Sequence, residues 1–79
     1  MVRIIPSKKF KKDIKGLDNF KLEKIEKQIR KILENPFVGK PLKYKRGERS
    51  LYVKPFRLIY AIRKDELILL KFEHRKKVY

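Results

Sequence analysis

Cysteine, tryptophan and threonine are absent from the 79 residues, and histidine and methionine occur once each. Without cysteine there is no disulfide framework, no zinc ribbon and no thiol nucleophile. The single histidine, His74, cannot build a histidine-based metal cluster. Acidic residues are scarce as well: 9 Asp and Glu stand against 24 Lys and Arg, a formal net charge of +15. A compact chain with so much like charge repels itself and favours a polyanionic partner: nucleic acid, an acidic protein or an anionic membrane surface. Long apolar runs are missing too. Leu67–Leu70 and Leu58–Ile62 are strand-length, far short of the ~20 residues that cross a bilayer. Met1–Pro6 offers no apolar signal region, so the expected location is the cytoplasm.

What is present fits one small domain over residues 1–79. A chain this short buries only about 60–65% of its unfolded surface, so a partner is a natural source of added stability. Lysine and isoleucine are abundant and glutamine is limited to Gln28. That bias resembles heat-adapted proteins, and AT-rich codon usage produces the same bias.

Val2-Arg3-Ile4-Ile5 is a β-branched run ended by Pro6 and reads as a strand. Ser7 stands at an N-cap position. Phe10, Ile14 and Leu17 recur at helical spacing, and Gly16 weakens the helix end. Asp18 or Asn19 can cap a second helix with its apolar stripe at Leu22, Ile25, Ile29, Ile32 and Leu33. Asn35-Pro36 stops it, because the residue before proline avoids the helical region. Residues 35–41 read as loop. From Leu42 the period becomes two: Leu42, Tyr44 and Arg46 alternate with other residues up to a turn at Gly47-Glu48. Leu51 and Val53 continue the alternation, and Pro55 marks a tight turn or bulge. Phe56–Ile62 and Leu67–Glu73 are two further strands around a turn at Lys64-Asp65. The expected fold is α+β: an N-terminal strand, a helical hairpin, then an antiparallel twisted sheet of three to four strands with one face covered.

The open face of that sheet collects the alternating residues. If Phe56, Leu58 and Tyr60 face the helices, Arg57 faces the other way beside Ile59 and Ala61. An arginine rooted there is partly desolvated and needs an anion. Either Glu48 or Glu73 pairs with it, or it binds phosphate, for which its planar fork is suited. The lysines at 8, 9, 11, 12 and 15 form a basic helix face, which is either simply solvated or docks an acidic partner. His74 is either a surface residue or a proton shuttle near neutral pH. Among the aromatics, Tyr52 is the best candidate to stack on an unpaired base, since it alternates away from Leu51 and Val53.

Three stretches together resemble the RelE/ParE superfamily of toxins from toxin–antitoxin pairs. They are Ile32-Leu33-Glu34-Asn35-Pro36 with Gly39-Lys40-Pro41-Leu42, Arg49–Val53 with Phe56-Arg57-Leu58-Ile59-Tyr60, and the ending His74-Arg75-Lys76-Lys77-Val78-Tyr79. Their order and spacing span the chain. The resemblance implies a RelE-like fold and an endoribonuclease that cuts mRNA in the ribosomal A site. It also implies no metal or other cofactor, the substrate's own 2′-OH as nucleophile, and neutralisation by an acidic, RelB-like antitoxin in a heterodimer or heterotetramer.

By this resemblance Arg57 is the phosphate-stabilising arginine and Arg75 the arginine of the tail motif. Tyr79 is the terminal tyrosine, with the role of base or of stacking platform. His74 lies where some members place a histidine. RelE-type members carry two basic side chains on the strand before the arginine strand. Here those positions fall near Ser50 and Tyr52, so Arg49 and Lys54 are the nearby substitutes, with Tyr52 as the third substrate-binding candidate. The departure gives some weight to the ParE branch, which poisons DNA gyrase without a nuclease site, and the retained Arg57, Arg75 and Tyr79 count against it. A non-catalytic RNA-binding module is the third reading.

Overall fold

The computed structural model describes residues 2–43 and 47–74. Two helices lie on one face of a five-stranded sheet of order β1-β5-β4-β3-β2. Strand β1 is Arg3–Pro6, helices α1 and α2 are Lys8–Ile14 and Asn19–Glu34, and β2 is Lys40–Pro41. Strands β3, β4 and β5 are Glu48–Val53, Phe56–Arg63 and Glu66–His74. Pairs β2–β3, β3–β4 and β4–β5 are antiparallel, whereas β1 joins β5 in parallel. The α+β reading therefore holds, with the N-terminal strand added to the sheet edge.

Ser7 caps α1: its Oγ accepts from the Phe10 N–H at 3.0 Å and donates to the Leu70 carbonyl at 2.9 Å. The helix stops early because Gly16 takes φ +87°, a left-handed turn that favours glycine. Leu17 thus lies beyond the helix, yet still packs against the core. Asp18, not Asn19, caps α2, accepting from the Lys21 N–H at 2.9 Å. Of the expected α2 stripe, Ile25 and Ile32 are buried and Leu22 and Ile29 pack against them, while Leu33 is exposed at the stripe's margin.

The segment after α2 differs from the sequence reading. The strand expected from Leu42 shrinks to Lys40–Pro41, inside the expected loop. Pro41 has no N–H to extend a ladder, and the Leu42 N–H closes the excursion on the Glu48 carbonyl at 2.9 Å. Glu48 opens β3 instead of closing a turn. The alternating positions Tyr44 and Arg46 lie outside the described residues.

The core joins Phe10 of α1, Ile25 and Ile32 of α2, and Leu58, Tyr60, Leu67, Leu69 and Phe72 of the central strands. One irregularity decides the faces. Leu58 pairs with Phe72 and Ile59 with Lys71, but Tyr60 pairs with Leu69, so Leu70 is an extra residue. This β-bulge shifts the alternation of β5 by one. Leu67 and Leu69 face the helices before it, and Phe72 and His74 after it. Lys71 and Glu73 are thereby turned to the open face. Asp13 of α1 holds the strand beyond the bulge, its Oδ2 accepting from the Phe72 N–H at 3.0 Å while it also pairs with Lys9.

Candidate functional site

Cross-strand register places two rows of side chains on the open face. One row is Lys40, Ser50, Ile59 and Lys71; the other is Tyr52, Arg57 and Glu73. Directly opposed residues of an antiparallel pair share a face, so these rows are neighbours. Beside them opens a cleft of about 630 Å³. Val38 and the residues from Lys40 to Lys43 line it, with the sheet residues Ser50, Tyr52 and Arg57. The charged groups among its lining residues are Lys40, Lys43 and Arg57, all positive.

Arg57 is the central feature. Its Nε is buried and has no hydrogen-bond partner. Among the described residues it makes no ion pair, so the salt bridge to Glu48 or Glu73 does not form. Glu73, its partner in register, instead lies 3.9 Å from the Lys71 ammonium. An unmet buried donor costs about 1–3 kcal/mol, and more when it is charged. An anion delivered by a ligand would remove that cost, and the fork geometry of guanidinium suits phosphate.

Tyr52, about half exposed, lines the same cleft beside Arg57. The aromatic edge and the cation are thus brought together. Arg49 is not part of this pair. Its register partner is Tyr60, on the helix side. Its Nη1 donates to the Gly39 carbonyl at 2.6 Å, and its guanidinium lies 4.8 Å from the Phe37 ring. Tyr60 completes a clamp on the same loop. Its hydroxyl donates to the Pro36 carbonyl at 2.7 Å and accepts from the Gly39 N–H at 3.0 Å. A Cβ on Gly39 would sit 2.8 Å from that hydroxyl and 2.9 Å from the Ser50 carbonyl, so only glycine fits. Arg49 therefore shapes the loop that walls the cleft.

Lys54 lies in the β3–β4 turn and lines a separate small pocket on the helix side. His74 also stands apart from Arg57. It pairs with Phe56, and the two rings meet edge to face at 5.3 Å. The bulge at Leu70 put it there, and the sequence carries no direct sign of that bulge. Lys40, Lys43 and Lys71 are the basic residues that sequence reasoning did not place at the site. Register across the sheet was the missing signal. Arg75 and Tyr79 lie outside the described residues. Among the described residues no group of three His, Cys, Asp or Glu side chains could hold a metal ion. No described helix is long and apolar enough to cross a membrane.

Comparison with known proteins agrees with this fold. No curated protein matches the chain. A metal-bound toxin from Helicobacter pylori is 27% identical, with all of both chains covered and a TM-score of 0.80. The antitoxin–toxin complex RelB–RelE from Methanococcus jannaschii contains a chain 21% identical, with coverage of 95% of this chain and 94% of that one, at a TM-score of 0.77. The isolated Escherichia coli RelE toxin is 16% identical, with coverage of 94% and 84%, at a TM-score of 0.80. At those last two identities the likeness speaks for the fold. The family described as the ParE toxin of the type II toxin–antitoxin system parDE matches residues 4–79. With nearly the whole length matched, the chain belongs to this family, within the RelE/ParE superfamily, and is a toxin of a toxin–antitoxin system.

Proposed function

We propose that this toxin is a ribosome-dependent endoribonuclease that cleaves mRNA in the A site and is neutralised by an acidic antitoxin. The carrying observation is the buried, unpartnered Nε of Arg57 on a basic, tyrosine-edged cleft. The chemistry uses the substrate as its own nucleophile. The 2′-OH loses its proton and attacks the adjacent phosphorus. The bond from phosphorus to the 5′ oxygen breaks, and that oxygen takes up a proton. The products carry a 2′,3′-cyclic phosphate and a 5′-hydroxyl.

Negative charge builds on the non-bridging oxygens in the transition state. Arg57 is the group to meet it, and a donor held ready in advance pays no reorganisation at that moment. Tyr52 stacks on a neighbouring base. Lys40 and Lys43 hold the backbone by charge. The resemblance in the tail assigns Arg75 as a second cation and Tyr79 as base or stacking platform. His74 takes no part in this reading, because it stands against Phe56 on the other face. The ribosome and mRNA as targets place the toxin in the cytoplasm. A RelB-like antitoxin would form a heterodimer or heterotetramer with it, as the complex from Methanococcus jannaschii pairs RelB with RelE.

Induction of the toxin followed by mapping of mRNA 5′ ends tests this. Cuts inside translated codons should appear and should fall about 10²–10³-fold in Arg57→Ala. Intact messages with gyrase-linked DNA breaks would replace this reading by the ParE one.

A further inference from the structure

A second recess lies on the helix side of the sheet, away from the Arg57 cleft. It is a cavity of about 80 Å³ between the start of α2 and the β3–β4 turn. Phe20, Phe56, Phe72 and Val53 line it. Phe72 and Val53 are buried, and the Phe56 and Phe72 rings stack at 4.7 Å. Phe20 is 66% exposed at the cavity's edge.

The charged lining is of one sign. Lys21, Lys24 and Lys54 contribute to it and no acidic residue does. Lys24 lies over the Phe20 ring at 4.8 Å and Lys21 over Phe56 at 5.9 Å. Each ammonium is therefore held near an aromatic face and the cavity edge, without a carboxylate of its own among the described ion pairs.

We propose that this pocket is an anchor site for an acidic peptide segment of the antitoxin, which inserts one aliphatic side chain between the aromatic rings. The size selects the anchor. An apolar cavity of about 150 Å³ holds benzene, so a space of about 80 Å³ takes the end of a leucine or isoleucine and not a nucleobase. The charge selects its flanks, since carboxylates beside the anchor would meet Lys21 and Lys24. An apolar centre ringed by charge is the usual anatomy of a strong contact. The inference rests on the toxin–antitoxin assignment and not on nuclease activity. Failure of the mRNA-cleavage test would leave it standing.

Two short fluorescent peptides of Asp, Glu and Ser test it, one with a central leucine and one with serine in its place. Fluorescence anisotropy against the whole toxin should show the leucine peptide bound about tenfold or more tightly. The ratio should persist at high salt, where long-range attraction is screened. It should vanish in Phe20→Ser, while Lys24→Glu weakens both peptides. Phe20 is largely exposed, so the variant should melt as the wild type does by circular dichroism. Equal affinities for the two peptides would overturn the proposal, as would a ratio unchanged in Phe20→Ser. Preferential leucine binding that appears only after removal of residues 75–79 would assign the pocket to the chain's own tail. Loss in Phe20→Ser of oligo-uridine binding but not of peptide binding would assign it to RNA. Either result also overturns the proposal.

Discussion

The two faces of one sheet obey opposite rules. On the helix side, Leu58, Tyr60, Leu67 and Phe72 are buried and each polar atom named there is satisfied; the Tyr60 hydroxyl makes two hydrogen bonds. On the open side, Ser50, Tyr52, Arg57, Lys71 and Glu73 stand in register, and the central cation keeps a buried donor unmet. Strand β4 contributes to both sets, alternating by residue. A side chain on the covered face packs in the core, and Arg57, one position from Leu58, lines the cleft instead. Stability and activity should separate between adjacent residues.

The sharpest test of that separation is the pair Leu58 and Arg57. Leu58→Ala removes a fully buried side chain and should cost about 2–5 kcal/mol of unfolding free energy in chemical denaturation. A domain of this size has little more than that in reserve. Arg57→Ala should leave the denaturation midpoint within ~1 kcal/mol of wild type, or raise it, since an unmet donor disappears. Its loss should appear in cleavage alone, about 2.7–4 kcal/mol of barrier. A strongly destabilised Arg57→Ala, or a Leu58→Ala of wild-type stability, would break the two-face picture.

Gly39 sits where the faces meet, because its loop is fixed by Tyr60 from below and walls the Arg57 cleft. Gly39→Ala should cost about 1–3 kcal/mol through overpacking against the Tyr60 hydroxyl. It should also weaken substrate binding more than the same stability loss made elsewhere, read as a rise in KM for a cleaved message. Tyr60→Phe should cost about 1–3 kcal/mol, leaving the Gly39 N–H and Pro36 carbonyl without their partner. An unchanged KM in both variants would detach the loop from the site. The smallest effect belongs to neither face. Glu26 and Arg30 pair on the exposed side of α2 at 2.8 Å. Glu26→Ala should shift stability by no more than ~0.5 kcal/mol, less at high salt, by thermal melting.

Much of this was legible from residue order. Helical spacing at Leu22, Ile25, Ile29 and Ile32 sufficed for α2, since a stripe of that period has one covered side. Ser7, and Asp18 or Asn19, announced the helix starts because a side-chain oxygen meets an orphan N–H there. Alternation in Phe56–Ile62 put Arg57 opposite the core before any coordinates. Misreadings arose where local pattern met a non-local partner. Leu42 looked like a strand residue, but its N–H is committed to the Glu48 carbonyl, and Pro41 ends the ladder. Arg49 looked like a substrate ligand, yet the carbonyl of Gly39, ten residues back, holds it.

The sequence by itself determined the excess of positive charge, which no folding can cancel. It also determined the helix starts, the alternation of β4 and the side on which Arg57 stands, because these follow from backbone period and capping chemistry. Only the tertiary structure decided which residues join Arg57. The extra residue at Leu70, bonded to Ser7 of the neighbouring strand's end, turns Lys71 and Glu73 to the open face and His74 toward Phe56. A bulge inserts one residue into one strand relative to another, so its position is a property of the pairing and not of either strand alone.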